Sequence, residues 1–397
     1  MTRFREPAAP LSHWRLDPAW TFLNHGSYGA TPRVVMARQQ ALHDLMEEQP
    51  VAFMFRHLEP LLDRSRAALA DLVGAHTADL VLLTNASTAV ATVVASLHLQ
   101  AGDELLTTSH VYNACHNILQ QAADRAGARL IIAEVPFPIA SATEVETVLL
   151  EAVTDRTRFV LLDHITSATG LRFPVESLTA QLESRGIRVM IDGAHAPLST
   201  PLSVAALGAS YYTGNCHKWL CAPKGAAFLW VAPARQAGLR PLVVSHGANS
   251  PRTDKSRFHL EFDWTGTSDA TAQLCLPAAI DFMASLHPDG VNGLMARNRA
   301  LLLAGRDHLC DRLGLAPAAP DSMLTSMATF VVPDRLTARY TAEALYDELT
   351  LRHRIELPIM TLGEGRPMLF RISAQAYNCM SDYERLADCL TALIAAA

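Results

Sequence analysis

Short apolar runs alternate with helical patterns through the middle of the chain, and this alternation limits the possible folds more than any other feature. The apolar runs fall at residues 80–83, 103–107, 129–135, 158–165, 188–191 and 225–231. Helical patterns between them cover residues 87–97, 112–125 and 175–185. Continuous apolar strands separated by helices are typical of a mainly parallel sheet covered on both faces. We therefore predict an α/β fold with its functional site beyond the carboxyl ends of the strands.

The pattern changes after about residue 266, where long helical stretches precede scattered short strands. Helices are predicted at residues 271–286, 291–313, 337–349 and 381–395, and strands at 327–332, 355–359 and 368–372. This mixture predicts a smaller α+β domain. We divide the chain into an amino-terminal arm (1–30), a large domain (31–270) and a small carboxyl-terminal domain (271–397).

The composition argues against several classes of function. The 397 residues are 50% hydrophobic, which is enough for a substantial core, and the formal net charge is −6. A chain without a broad basic field is not expected to bind nucleic acid. The sequence lacks an uncharged apolar run of about 18 residues, so no membrane span is expected.

The cysteines and the first residues bear on location. Seven cysteines, an odd number, are scattered along the chain, as is typical of reduced thiols. The first twenty residues carry several charges and no apolar core, so no signal peptide is predicted. We therefore expect a cytoplasmic protein. Cys216 and Cys221 flank His217 without a second pair of ligands, and no metal site is predicted.

The segment Tyr211-Tyr-Thr-Gly-Asn-Cys-His-Lys-Trp219 places a lysine on a short polar turn ahead of an apolar strand. A buried lysine loses its charge readily, and a neutral amine condenses with an aldehyde. Upstream, the strand Arg188-Val-Met-Ile-Asp192 ends on an aspartate. Pyridoxal phosphate needs both groups, because Lys218 would form the Schiff base and Asp192 would keep the pyridine nitrogen protonated.

With these motifs the chain resembles the class V aminotransferase-fold pyridoxal-phosphate enzymes of the cysteine desulfurase-like superfamily, and within them the isopenicillin N epimerase group. The resemblance extends from Phe22-Leu-Asn-His-Gly-Ser-Tyr-Gly29 to Arg371-Ile-Ser-Ala-Gln-Ala-Tyr-Asn378, nearly the whole chain. It implies transferase fold type I, with a large domain on a mainly parallel sheet and a smaller α+β domain. It also implies pyridoxal 5′-phosphate as the cofactor and an amino acid as the substrate.

A dense set of short polar residues, Thr84-Asn-Ala-Ser-Thr88, stands where a predicted strand turns into a helix. Free N–H groups and the helix dipole at such a turn attract an anion, although a plain helix cap by Ser87 is the alternative. The resemblance assigns the cofactor's phosphate to Ala86, Ser87 and Thr88. It also implies contacts from Thr213 and Asn215, where many relatives have serines.

Further cofactor contacts follow from the resemblance alone. In Ser109-His-Val-Tyr-Asn113, Tyr112 is assigned to stack on the cofactor ring, with His110 as the competitor. His195 stands where relatives carry a donor near the phenolic oxygen of the cofactor. Thr166 and Ser167 hold a related position.

Arg371 ends the predicted strand at 368–372 and is the candidate for binding a substrate carboxylate, since its planar fork matches a carboxylate. A structural ion pair is the alternative for an arginine in an apolar strand. By resemblance, Asn24 supports the same carboxylate. Thr267, in Trp264-Thr-Gly-Thr-Ser-Asp269, would reach the phosphate of a neighbouring subunit, which implies a homodimer with shared active sites.

Pyridoxal phosphate makes the bonds at Cα labile, and the protein selects the bond that breaks. The epimerase-like motifs favour an amino-acid epimerase or racemase, which needs one proton relay on each face. Lys218 would serve one face, and Tyr112, His217 or a group that the sequence does not identify would serve the other. A C–S lyase and an aminotransferase remain alternatives, with a non-catalytic cofactor-binding protein as a remote one. Cysteine desulfurases of this fold keep a nucleophilic cysteine on a loop shortly before the arginine that binds the substrate carboxylate. No cysteine lies between residues 312 and 371 of this chain, so the resemblance disfavours persulfide chemistry.

Overall fold

The computed structural model describes residues 4–363 and 365–396. The strands are β1 (Thr21–Phe22), β2 (Leu80–Leu83), β3 (Glu104–Thr108), β4 (Arg129–Ala133), β5 (Thr157–Asp163), β6 (Arg188–Asp192), β7 (Tyr211–Asn215), β8 (Ala227–Val231), β9 (Met327–Val331), β10 (Ile355–Glu356), β11 (Ile359–Thr361) and β12 (Met368–Ser373).

The α-helices are α1 (His25–Tyr28), α2 (Arg33–Glu48), α3 (Pro50–Ala52), α4 (Leu58–Val73), α5 (Ala86–Ala95), α6 (Asn113–Ala126), α7 (Ala142–Glu151), α8 (Val175–Glu183), α9 (Pro233–Gln236), α10 (Arg257–Phe262), α11 (Thr271–Leu274), α12 (Leu276–Ser285), α13 (Gly290–Leu313), α14 (Asp334–Thr337), α15 (Ala342–Asp347) and α16 (Met380–Ala395). Two π-helical turns lie at Phe53–His57 and Glu348–Arg352. Short 3₁₀ turns lie at Leu11–His13, Thr77–Asp79, Val204–Leu207, His246–Asn249 and Asp321–Met323.

A seven-stranded sheet in the order β2-β8-β7-β6-β5-β3-β4 forms the centre of the molecule. All neighbouring strands run parallel except β8, which is antiparallel to both β2 and β7. Six of the seven strands therefore end at the same edge, and the loops that follow them meet there. This arrangement confirms the predicted fold class.

The two faces of this sheet are covered separately, as the alternation of side chains along each strand requires. In β5, Phe159 and Leu161 pack with α5 and α6, whereas Val160 and Leu162 belong to the larger core on the other face. Met190 of β6 shares the α5 and α6 face with Phe159 and Leu161. This period of two also determines which way the last residue of each strand points.

The carboxyl-terminal part contains an antiparallel sheet in the order β11-β12-β9, packed against α13, which in turn packs against α16. The amino-terminal strand β1 pairs in parallel with β10, so the first and last parts of the chain are joined. The division of the chain at residues 30 and 270 stays a prediction.

Several elements differ from the sequence-based expectation. The helix predicted at 271–286 is split into α11 and α12, and the strand predicted at 355–359 is split into β10 and β11. Strand β7 was not predicted, because its polar Thr-Gly-Asn end was interpreted as part of a turn. The helix expected at 337–349 begins later, at α15, and continues into the π-helical turn Glu348–Arg352, because the Thr341 hydroxyl accepts the Ala344 amide and begins the helix there.

Within residues 4–363 and 365–396, no helix is both long and apolar enough to cross a membrane. The same residues contain no group of three or more His, Cys, Asp or Glu side chains placed to hold a metal ion.

Candidate active site

A cavity of about 270 Å³ lies at the edge where the parallel strands end. Its walls come from the loops after β2, β3, β5, β6 and β7 and from the amino-terminal turn α1. The lining residues are Ser27, Tyr28, Asn85, Ala86, Ser87, Tyr112, Asp163, Ile165, Ser167, Asp192, Ala194, His195, Asn215, His217 and Lys218. The structure thus brings together nine of the residues singled out in the sequence: Ala86, Ser87, Tyr112, Ser167, Asp192, His195, Asn215, His217 and Lys218.

Lys218 lies on the turn between β7 and β8, with its Nζ 2.9 Å from Nε2 of His195. Burial, together with the smaller effect of the positive charge of Arg371, lowers the pKa of Lys218 to about 7, while the charge of Asp192 opposes both. A substantial fraction of the amine is therefore neutral near pH 7. A neutral amine is the form that condenses with an aldehyde.

His195 is held between Lys218 and Trp219. The indole Nε1 of Trp219 donates to Nδ1 of His195 at 3.4 Å, and an indole can only donate. In the neutral imidazole the proton therefore lies on Nε2, which donates it to the uncharged amine of Lys218. Burial and the charge of Lys218 keep the pKa of His195 well below its ordinary value, which favours this neutral form.

Asp192 ends β6 on the face covered by α6. Its Oδ1 accepts the Ala194 amide at 2.9 Å, and its Oδ2 accepts the Cys115 thiol at 3.4 Å. Burial raises the pKa of Asp192, while these two donors and the charge of Lys218 oppose the rise. A buried carboxylate with this support suits a cationic ring nitrogen.

The phosphate candidates lie at the start of α5. Asn85, rather than Ser87, caps this helix, because its Oδ1 accepts the Thr88 amide at 2.8 Å. The Ala86 amide donates to Oδ1 of Asn215 at 2.9 Å. Two amides of the first turn thus meet side-chain acceptors, and a phosphate would have to displace those acceptors. The helix start and the polar cluster around it fit an anion.

Thr88 and Thr213 are placed differently from the other phosphate candidates. Thr88 lines a neighbouring cavity, and its hydroxyl donates to Asn85. The Thr213 hydroxyl donates to the carbonyl of Phe228 at 2.7 Å, inside the sheet. Their cofactor contacts stay predictions.

Of the two candidates for stacking on the cofactor ring, only Tyr112 lines the cavity, where 48% of its surface is exposed. His110 is buried, with Nε2 3.2 Å from the carbonyl of Val135 and Nδ1 2.9 Å from the Thr169 hydroxyl. Both ring nitrogens of His110 are thus engaged away from the site.

The segment after β5 contributes unequally. The Thr166 hydroxyl bonds within its own turn, to Thr169 at 2.7 Å and to the Leu171 amide at 2.9 Å. Ser167 lines the cavity, and its carbonyl accepts a bond from Arg371. On the opposite wall, burial lowers the pKa of His217 to about 4, helped by the charge of Lys218.

Arg371 lies in β12 and is buried beside the cavity. Its guanidinium donates to the Ser167 carbonyl, to the Ser27 hydroxyl at 3.3 Å and to Oδ1 of Asn24 at 3.5 Å. Burial lowers the pKa of Arg371 to about 10. No carboxylate among the described residues forms an ion pair with it, so the structural ion pair considered from the sequence is not found there.

The amino-terminal turn is fastened to the lysine turn. Nε2 of His25 lies 3.1 Å from the Lys218 carbonyl, and its Nδ1 lies 2.7 Å from the Tyr377 hydroxyl. Gly29, with a φ of 69°, packs so closely that an added Cβ would lie 2.0 Å from the His217 carbonyl oxygen. His25 therefore joins the amino-terminal turn to both the lysine turn and the segment around Tyr377.

Thr267 does not line the cavity. Its neighbours Gly266 and Ser268 line the adjoining cavity together with Thr84 and Thr88. Any contact between Thr267 and a phosphate of another subunit stays a prediction.

Sequence reasoning missed Ser27, Tyr28 and Asp163. Ser27 and Tyr28 belong to the amino-terminal motif, but nothing in the sequence places that turn against the strand ends. The place of Asp163 in the cavity could have been predicted, because Asp163 ends an apolar strand just as Asp192 does.

The family model described as aminotransferase class-V matches residues 29–386. The chain belongs to this family. The membership confirms the expected pyridoxal-phosphate enzyme.

Among curated relatives, the isopenicillin N epimerase of Amycolatopsis lactamdurans is 35% identical, over 95% of this chain and 96% of the relative. The putative L-cysteine desulfhydrase 1 of Oryza sativa is 31% identical, over 94% of this chain and 83% of the relative. These relatives include both an isomerase and a C–S lyase.

Among solved structures, a lysine-to-alanine mutant of C-DES, with glycine covalently linked to its PLP cofactor, superposes with a TM-score of 0.81 at 21% identity. The alignment covers 96% of this chain and 99% of that one. A cysteine desulfurase of Escherichia coli has a TM-score of 0.79 at 20% identity, covering 97% of each chain. Both share the fold described above.

The pKa of Lys218 makes its reactivity testable. Cofactor-free protein treated with pyridoxal phosphate and then borohydride should carry a reduced adduct on Lys218, located by peptide mass spectrometry. The initial rate of adduct formation should rise between about pH 6 and pH 8 and then level off, because the amine must be uncharged. The Lys218→Arg variant is the control. An adduct on Lys224 in the wild-type protein would contradict this assignment.

Proposed function

We propose that this chain is an amino-acid epimerase or racemase that acts at Cα. Bound pyridoxal phosphate draws electrons from Cα and so weakens the bonds there. In this proposal Lys218 holds the cofactor, Asp192 faces its ring nitrogen, and Arg371 with Asn24 binds the substrate carboxylate. The start of α5, with Ala86, Ser87 and Thr88, and nearby Asn215 receive the phosphate.

The observation that carries the proposal is the burial of Arg371 without a carboxylate partner among the described residues. A buried guanidinium whose hydrogen-bond acceptors are neutral oxygens leaves its desolvation cost uncompensated. A carboxylate offers the missing charge and two oxygens that match the fork of the guanidinium. Because Arg371 donates to the carbonyl of Ser167, which lines the same cavity as Lys218, an amino acid bound to Arg371 would bring its Cα near the lysine amine.

Proton transfer on one face is assigned to Lys218, whose pKa of about 7 lets the amine accept and return a proton near neutral pH. The Nε2–H of His195 donates to that amine and fixes its direction. For the other face, Tyr112 and His217 both line the cavity. Each carries a group that can exchange a proton, and either fits the role.

Two observations favour Cα inversion over C–S cleavage. Two isopenicillin N epimerases, from Amycolatopsis lactamdurans and Streptomyces clavuligerus, are 35% and 34% identical to the chain. No cysteine is among the described residues that line the cavity. Cys115 lies behind Asp192, and its burial raises the pKa of the thiol far above the ordinary value, so it is a poor nucleophile.

The second candidate is a C–S lyase that releases its product without a catalytic cysteine. It is favoured by the resemblance to L-cysteine desulfhydrases, including the Oryza sativa relative at 31% identity. The aminotransferase alternative uses the same lysine and has no observation of its own here.

Exchange at Cα separates these reactions. The holoenzyme in deuterium oxide would be given isopenicillin N and a panel of L-amino acids that includes cysteine and cystine. We expect a productive substrate to gain deuterium at Cα while its configuration scrambles, followed by mass spectrometry and chiral chromatography. The Lys218→Ala variant should lose both signals. Rapid formation of pyruvate or sulfide without inversion would instead support the lyase.

The carboxylate role of Arg371 predicts a large kinetic effect. Replacing Arg371 with alanine removes a charge-assisted pair worth a few kcal/mol, so kcat/KM should fall roughly a hundredfold or more. Arg371→Lys should recover only part of this loss, because an ammonium lacks the planar fork. Arg312→Ala is the matched control, since Arg312 is partly exposed and pairs with Asp388. Unchanged kcat/KM in Arg371→Ala would exclude this role.

We further propose a homodimer. Phe55 is 85% exposed and Val243 is 56% exposed, and they line two adjoining cavities that share Leu58 and Trp264 as walls. Exposed apolar side chains of this density are typical of a contact surface. Residues 265, 266 and 268 line the second cavity, so a subunit packed here would lie next to Thr267.

The dimer can be tested by charge insertion. Phe55→Asp places a carboxylate in the proposed contact and should shift the protein from dimer to monomer in sedimentation experiments. Leu351→Asp is the matched control, because Leu351 is 74% exposed on the other π-helical turn. A wild-type monomer, or equal effects of the two substitutions, would argue against this surface. The cytoplasmic location stays a prediction.

A further inference from the structure

Two aspartates stand side by side where β5 and β6 end. Asp163 and Asp192 are register partners on these parallel strands. Asp163 follows Phe159 and Leu161 at the period of two, and Asp192 follows Met190, so both point to the face covered by α5 and α6. Both line the cavity, and their exposed fractions are only 3% and 4%.

The two carboxyl groups are supported unequally. Asp192 accepts hydrogen bonds from the Ala194 amide and the Cys115 thiol. The Oδ2 of Asp163 is buried and has no hydrogen-bond partner among the described residues. An ionised oxygen in that position would be desolvated without compensation, at a far greater cost than the oxygen of a neutral carboxyl group.

The surroundings offer little positive charge to a second carboxylate. The ionisable groups around the pair are Cys115 on α6, Tyr212 on β7, His164 after β5, His195 after β6, and His217 and Lys218 after β7, with Arg371 beyond Lys218. Burial and the Lys218 charge keep the pKa of His195 low, and its imidazole is neutral. Burial raises the pKa of Asp163 well above its ordinary value, and the charge of Asp192 raises it further.

Adjacent buried carboxyl groups do not both ionise, because like charges repel strongly where water is excluded. Asp192 has the two hydrogen-bond donors, so the negative charge belongs there. The proton belongs on Asp163.

We propose that Asp163 is a positioning residue of the ring-nitrogen site: it keeps a proton at neutral pH, so that the aspartate pair presents a single negative charge, on Asp192, to the pyridine nitrogen. The inference rests on the proposed role of Asp192. A neutral Asp163 leaves Asp192 to face the cationic ring alone, without a second counter-charge that the buried site would have to accommodate.

The proton can be counted without the cofactor. A carboxyl group in the unfolded chain is ionised at pH 7, so wild-type cofactor-free protein should release about one more proton on unfolding than Asp163→Asn. The measurement is the unfolding of lightly buffered protein with a pH indicator. Asp71→Asn, at an exposed position, should release the same number as the wild type. Equal release by wild type and Asp163→Asn would overturn the proposal.

Thermal unfolding gives a second readout with a definite sign. A carboxyl group whose pKa is raised in the folded state stabilises the protein at low pH, and that contribution is lost as the pH rises towards the folded value. The melting temperature of cofactor-free Asp163→Asn, measured relative to that of the wild type, should therefore increase as the pH rises from about 5 to about 8. A constant difference over this range would contradict the protonated Asp163.

The infrared spectrum of the protein gives a third readout, in which the wild type alone can overturn the proposal. The wild-type spectrum at pH 7 should contain the carbonyl stretch of a protonated carboxyl group, which Asp163→Asn or Asp163→Ser should remove. Absence of this band in the wild type would overturn the proposal directly.

Cofactor affinity separates this inference from the proposed function. At pH 7, Asp163→Asn should bind pyridoxal phosphate within about threefold of the wild type, because both side chains are neutral. Asp192→Asn should weaken binding by roughly tenfold or more. Loss of affinity in Asp163→Asn equal to that in Asp192→Asn would overturn the inference. An unaffected Asp192→Asn would instead remove Asp192 from the ring-nitrogen role, whatever the proton count.

Discussion

The burial of several charges at one edge of the parallel sheet is the constraint on which the site depends. Lys218, Arg371 and Asp192 all lie where water is scarce, and each bears a desolvation cost. Neutral groups hold them: an imidazole at Lys218, an amide and a thiol at Asp192, and carbonyl, amide and hydroxyl oxygens at Arg371. These partners orient the charges but leave room for the opposite charges of ligands.

This arrangement follows from the parallel sheet itself. Strands that run in one direction bring their carboxyl ends together, and the side chain that ends each strand points to a face set by its register. The alternation in β5 and β6 therefore delivers Asp163 and Asp192 to the same face. Helices α5 and α6 then close that face, and α5 directs its amino terminus at the cavity. The apolar core is thus the reason that the polar groups converge.

Much of the architecture could be predicted because it rests on local patterns. Strand β2 begins and ends where its apolar run does, and the final helix α16 begins one residue before the predicted start. Strand β7 escaped prediction because its outer half is Thr-Gly-Asn, which resembles a turn; pairing with β6 and β8 makes it a strand. The start of α15 depends on one hydroxyl cap.

The presence of Lys218 and Asp192 in the cavity was predictable, because an amine and a carboxylate are the residue types that the cofactor requires. The site was not predictable where tertiary contacts decide, because no local pattern brings Ser27 or Tyr28 to the strand ends. Thr213 was predicted to contact the cofactor, but its hydroxyl donates to the carbonyl of Phe228 on the neighbouring strand β8. The proposed role of Thr267 depends on a second chain, which one sequence does not describe.

The fastening of the amino-terminal turn to the lysine turn has a consequence for synthesis of the protein. His25 bridges the Lys218 carbonyl and the Tyr377 hydroxyl, and Tyr377 comes after the last strand, β12. A nascent chain that has emerged as far as β8 already contains the lysine and Asp192, yet it lacks Arg371 and the residue that anchors His25. Domains fold as they leave the ribosome, so the central sheet can form early. The surroundings of Lys218 are completed only after Arg371 and Tyr377 have been made. A half-made chain would therefore carry the candidate cofactor lysine before the residues around it are in place.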